Sequence, residues 1–290
     1  MSDAPLVGIA LQPEPVFFEH NRRLLEERAQ LFEVTPETLW TNGCEPGPGH
    51  QRLLRFTAAA GRPVVGHGVL CSIGAAAPPA RRARWLQALR RDAQAFGFGW
   101  LSEHLGFADV DGLHVAWPLP LPCTDEAADV VAASLRELRG ACGEVLFENN
   151  ADLFCLGDPL DQAELFARIC ERADAGLLLD LHNAFAFCRN VGVDLHAFLE
   201  RLPWPRVREL HLSGGSDSDP ELLPSRRSLR LDSHDGAVPD EVWRALQFAL
   251  PRASGLRAVV CEWFPDAMDA AAGAQFAADF ERARAMVEAN

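Results

Sequence analysis

The chain reads as a single (β/α)8 (TIM) barrel, and three features of its sequence predict this. Eight apolar runs of strand length alternate with segments of helical period over 290 residues. No Pro/Gly/Ser-rich linker divides them, and most connectors are short. Acids, imidazoles and amides gather at the C-terminal ends of the runs, which converge on one mouth in a closed barrel. Alternating strands and helices are the mark of βα units around a parallel sheet. About 250 residues is a common size for the eight-unit closed form. A doubly wound open sheet is the alternative, weakened because no Gly-rich phosphate turn follows the first run. The expected organisation is therefore one domain, 1–290.

The runs are LVGIAL (6–11), LFEVT (31–35), PVVGHGV (63–69), GWLSEHL (99–105), EVLFENN (144–150), GLLLDLHN (176–183), VRELHLSG (207–214) and LRAVVCEW (256–263). Their Val, Leu, Ile and Phe content suits strands buried on both faces. The helical segments are NRRLLEERAQ, HQRLLRFTAAA, ARRARWLQALRRDAQAF, DEAADVVAASLRELRGA, DQAELFARICERADA, VDLHAFLERL, PDEVWRALQFAL and AGAQFAADFERARAMVE. Each is rich in good helix formers, with apolar residues returning every three or four positions. The longest irregular stretch, 213–238, lies between the seventh run and its helix, and loops of that length are commonly functional.

Composition removes several function classes. A hydrophobic fraction of 48% supports a substantial core, but no window approaches the roughly 18 apolar residues of a membrane span. The N-terminus lacks a basic region before its apolar stretch, so no export signal is expected and the cytoplasm is the default. The eight cysteines form no CxxC and read as free thiols rather than a disulfide framework or a Cys-rich zinc site. A net charge of −14 argues against nucleic-acid and anionic-membrane partners. The five arginines of PARRARWLQALRRDAQ read as one solvated helix face.

The strand ends carry the chemistry. Side chains alternate across a strand, and counting one face selects His67, His104, Glu148, Asp180, His182, His211, Asp232, His234 and Glu262. Asn183 closes the DLHN segment beside them. Taken singly, each has an ordinary structural explanation, such as a satisfied core histidine, an ion pair with arginine or a helix cap. Together, four carboxylates in one apolar pocket repel unless positive charge lies between them. Histidine and carboxylate without thiolate suit iron, manganese or zinc. The set is too large for one octahedral ion, so two or three are expected.

At these residues the chain resembles a family of multinuclear non-heme iron-dependent oxidative enzymes, barrel proteins that modify ribosomally made peptides, as in methanobactin biosynthesis. The resemblance runs through GHGVLCSIG, SEHL, ENN, LLLDLHNA, ELHLSG, DSHD with VPDEVW, and CEW. It implies that His67, His104, Glu148, Asp180, His211, Asp232, His234 and Glu262 are metal ligands. It also implies a mixed-valent Fe(II)/Fe(III) centre in which one iron holds substrate, commonly through a cysteine thiolate, and another binds O2. Glu103, Asn149 and Asp235 are candidates for orienting ligands or moving protons. The implied substrate is a precursor peptide, modified at Cys or, alternatively, at Asp or Asn. A separate small protein would recognise its leader, and Arg226, Arg227 and Arg230 could hold an acidic peptide. Three positions depart from the family pattern: His182 replaces an Asn, Val191-Gly192 a His-Gly, and Gly215 a second His. The competing readings are a divalent-metal sugar isomerase or epimerase, a three-zinc endonuclease disfavoured by the acidic charge, and a non-catalytic metal-binding partner.

Overall fold

The structure, a computed structural model, describes residues 4–41, 43–110 and 113–290. The expectation about an export signal falls partly on Met1–Asp3, outside the described residues. Eight parallel strands form the centre: β1 (Leu6–Leu11), β2 (Leu31–Val34), β3 (Val64–Gly68), β4 (Phe98–Glu103), β5 (Leu146–Glu148), β6 (Gly176–Asp180), β7 (Val207–Leu212) and β8 (Ala258–Cys261). They pair in the order β4-β3-β2-β1-β8-β7-β6-β5. The ring closes between β4 and β5 through two isolated parallel bridges, Leu101–Val145 and His104–Glu148. Among the described residues nine α-helices surround it: α1 (Pro15–Arg23), α2 (Pro48–Ala60), α3 (Arg82–Phe96), α4 (Asp125–Leu138), α5 (Asp161–Ala173), α6 (Leu181–Val191), α7 (Leu195–Glu200), α8 (Asp240–Ala249) and α9 (Ala270–Glu288). This is the closed barrel the sequence predicts.

Strand alternation sorts the core into two layers. Outward residues such as Phe32, Phe147 and Leu179 pack with Phe17, Phe166, Phe198 and Phe280 of the helices in one large cluster. Each buried side chain of this kind stabilises by about 1.5–3 kcal/mol. Inward residues Ala10, Leu31, Val65, Trp100, Leu146, Leu178, Ala258 and Val260 form a smaller apolar cluster that fills the barrel. Two positions further along these strands, the inward series turns polar: Glu33, His67, Ser102, Glu148, Asp180 and Glu262. The apolar plug is thus the floor of the mouth.

The structure differs from the expectation at the sixth run. The strand ends at Asp180 rather than continuing to Asn183, and α6 begins at Leu181. Asp180 caps this helix, its Oδ1 accepting from Asn183 N at 2.6 Å, which satisfies a donor that the first turn would otherwise leave unpaired. Asp180 and His182 therefore do not share a strand face. The alternation argument holds for Glu209 and His211, both inside β7. Two hairpins were not anticipated, Trp40–Thr41 with Glu45–Pro46 and Phe107–Val110 with Leu113–Leu119.

Candidate metal centre

Glu148, at the end of β5, is the hub. Its Oε2 lies 2.8 Å from His104 Nε2 and 3.3 Å from His67 Nε2. Its Oε1 lies 3.7 Å from His211 Nδ1. His211 Nδ1 is also 3.1 Å from Glu262 Oε2, which in turn is 3.7 Å from His234 Nε2. His234 Nε2 is 2.6 Å from Asp232 Oδ1. Asp180 joins these groups, so that Glu148–Asp180–His211 and Asp180–His234–Glu262 each offer ligand atoms within 4.8 Å of one another. His67–His104–Glu148 forms a further such triplet. All eight residues that the family resemblance singles out are brought together at one mouth.

Outer hydrogen bonds decide which ring nitrogen each imidazole presents. The Ser102 hydroxyl donates to Gly66 O at 3.2 Å, so it accepts from His67 Nδ1 at 2.8 Å and leaves Nε2 facing Glu148. The Asn150 amide donates to Leu105 O, which turns its Oδ1 toward His104 Nδ1 at 2.7 Å and frees Nε2 in the same way. Such partners fix the tautomer and orientation of a ligating histidine. His234 is placed by its backbone, with φ 46 in the left-handed region, a strain non-glycine residues tolerate chiefly at functional sites.

The electrostatics set these groups against one another. Burial alone would discharge every group, yet Glu148, helped by Asn150 and Asp232, holds His104 up at about 10. Asp232 and Glu262 likewise hold His234 at about 10 against its burial. Burial pushes Glu262 up, but His211 and His234 override it and keep the carboxyl at about 2. Asp180 goes the other way: burial, then Glu148, Asp232 and Glu262, raise it well above the usual range. Glu148 Oε2, Asp180 Oδ2, Asp232 Oδ1, His211 Nδ1 and His234 Nε2 have no hydrogen-bond partner. Buried donors and acceptors at ion-pair distances without hydrogen bonds are the pattern of a site suited to cations.

The remaining candidates are placed differently. Asn183 reaches the cluster, its Nδ2 3.5 Å from Glu148 Oε1 and its buried Oδ1 unpartnered. His182 is buried in the first turn of α6, where its Nε2 accepts from Arg230 Nε at 3.0 Å; its Nδ1 is 3.8 Å from Asp232. Asn149 does not face the pocket but accepts from Asp180 N and donates to Asp180 O, at 2.9 and 3.0 Å, locking the end of β6. Glu103 turns away from its neighbour His104, accepts from Cys71 N at 3.2 Å and packs against Gly68. Asp235 accepts from Ser216 and Ser233 hydroxyls at 2.6 and 2.8 Å, outside the cluster. Arg226 and Arg230 pair with Glu221 and Asp217, and Arg227 donates to Asn190 O, so all three loop arginines are engaged within the chain. Sequence reading gave no role to Ser102, Asn150 or Glu33; an acid inside the apolar run LFEV was the available signal for the last.

Fold and mouth together define a (β/α)8 barrel with a His/carboxylate cluster at its mouth. The chain belongs to the family described as RiPP precursor modification enzyme MbnB/TglH/ChrH, whose profile matches residues 7–288. It is 32% identical over 217 residues to a UPF0276 protein of Rhizorhabdus wittichii, covering 74% of each chain. A UPF0276 protein of Chromobacterium violaceum is 32% identical over 248 residues, 84% of each. Among solved structures, D-allulose 3-epimerase from Methylomonas sp. superposes with a TM-score of 0.62 at 11% identity, covering 98% of this chain and 97% of that one. Endonuclease IV from Thermus thermophilus gives 0.56 at 17%, covering 99% and 100%. At such identities these two likenesses concern the fold alone. Gly215 and His182 also meet in space: a Cβ on Gly215 would lie 2.9 Å from His182 Cε1.

Proposed function

We propose that this chain, acting as one barrel domain in the cytoplasm, is an iron-dependent, O2-using oxidase that modifies a precursor peptide. Two or three ions would be held by His67, His104, Glu148, Asp180, Asn183, His211, Asp232, His234 and Glu262. The observation that supports this most directly is the set of buried, unpartnered oxygens and ring nitrogens converging within the mouth. The donor set has no thiolate and suits iron, and when bound the metal supplies open positions for a substrate thiolate and for O2. The chain's own residues do the rest. Ser102 and Asn150 orient the rings of His67 and His104. Trp117 packs edge-on to His104 at 5.6 Å, and Phe264 lies 4.4 Å from the His234 ring. Both aromatics are partly exposed and would wall the pocket against water while offering apolar surface to a peptide. Family membership supports the peptide substrate, and a small leader-binding protein completes this reading.

Elemental analysis and Mössbauer spectroscopy of protein purified without added metal test it. Two or more irons per chain with coupled mixed-valent signals are expected. Stoichiometric zinc or manganese that persists after growth in iron-rich medium would overturn the oxidase and favour proton-transfer or hydrolytic chemistry.

A further inference from the structure

Beneath the mouth lies an acidic pair that the proposed ligand set does not include. Glu33 of β2 and Glu209 of β7 are both wholly buried inside the barrel. Glu209 stands level with Leu178 and Ala258 of the apolar plug, and its Oε2 accepts from Trp100 Nε1 at 2.7 Å. Glu33 Oε2 is 3.1 Å from His211 Nε2, and Glu209 Oε1 is 3.9 Å from the same nitrogen. The Arg257 guanidinium closes the stack, 4.5 Å from the Trp100 ring.

These atoms could serve a further cation or orient the imidazole above them. The geometry favours orientation. His211 Nδ1 already faces Glu262 and Glu148 in the mouth, at 3.1 and 3.7 Å. A cation on Nε2 as well would require the ring to surrender its last proton. With Nε2 protonated instead, that proton points at Glu33 Oε2, and Nδ1 presents a lone pair to the mouth. We infer that Glu33 is a positioning residue that accepts the Nε2 proton of His211 and so commits this ring to binding metal through Nδ1. The inference rests on the mouth being a metal centre. It sets His211 apart, because His67 and His104 are held by neutral groups on Nδ1 and face the cluster with Nε2. A carboxylate behind an imidazole makes the ring a stronger donor, so the position that His211 serves is bound more tightly than the one served by His67 and His104.

The test uses full-length protein loaded with Zn(II) and labelled with 15N-histidine. NMR should show one mouth imidazole metallated at Nδ1 with Nε2 protonated, the others metallated at Nε2. In Glu33→Gln that Nε2 proton signal should shift, and Co(II) affinity at one position should fall about 10–100-fold with a changed d–d spectrum. Only Nε2-metallated rings in the wild type would overturn the inference, whether or not the variant folds, and so would an unchanged spectrum and affinity in a folded Glu33→Gln protein. Wild-type protein that takes up neither Zn(II) nor Co(II) would instead overturn the metal centre itself, and the positioning role with it.

Discussion

Glu148 meets more of the centre than any neighbour, with its oxygens facing His67, His104, His211 and Asn183. Glu148→Gln keeps the shape and removes the charge. Metal analysis should find it short of about one equivalent or more relative to wild type, because ligand affinity depends on the deprotonated donor. The imidazoles make a second prediction. Neighbouring carboxylates hold His104 and His234 at about 10 and His211 well above the ordinary histidine range, which favours the doubly protonated ring at neutral pH. A metal needs those lone pairs, and its uptake at pH 7 should expel at least two protons, so affinity should rise steeply with pH. Calorimetry in buffers of different ionisation enthalpy counts them; no proton release would contradict the arrangement. Most of the proposed ligands were legible in the sequence because barrel strands end at the mouth, and a polar group there stands out against an apolar run. Ser102, Asn150 and Glu33 were not, since each acts on a histidine of a different strand, and only cross-strand register reveals the pairing.

At the scale of elements, the junction between β6 and α6 separates two roles of Asp180. As a helix cap it needs only an oxygen; as a ligand it needs a charge. Asp180→Asn should keep thermal stability near that of the parent while losing metal, whereas Asp180→Ala should also lose about 1 kcal/mol of stability from the missing cap. Equal melting temperatures for the two metal-free variants would argue against the capping role. The junction was hidden in the sequence because Leu-Leu-Leu-Asp-Leu continues a buried strand as readily as it ends one. His182 follows from the same junction. Its Nε2 is occupied by Arg230 and burial lowers its proton affinity, so we expect it to stand outside the ligand set. His182→Asn should retain the full metal complement by elemental analysis, and the loss of an equivalent would restore it to the ligand set.

For the whole molecule, eight alternations of period were enough to read the barrel, because closed parallel sheets impose that rhythm on a sequence. The hairpins were beyond reach, as short antiparallel strands over a mouth carry no periodic signal of their own. Among the described residues no helix is long and apolar enough to cross a membrane. Chelation should lower the melting temperature, since metal binding to the folded chain alone stabilises it by mass action. The structure also says where the loss would begin. The barrel ladder is continuous except between β4 and β5, where two isolated bridges complete the ring, and the upper one joins His104 to Glu148. Leu105 N donates to Glu148 O at 2.9 Å just above it. The two residues that fasten this seam are themselves proposed ligands, so an ion bound to both acts as a clasp on the cylinder. Amide exchange at His104 and Leu105 should therefore report whether the centre is filled, quickening on chelation before the strands on the opposite side respond, and the enzyme's architecture would double as the gauge of its own cargo.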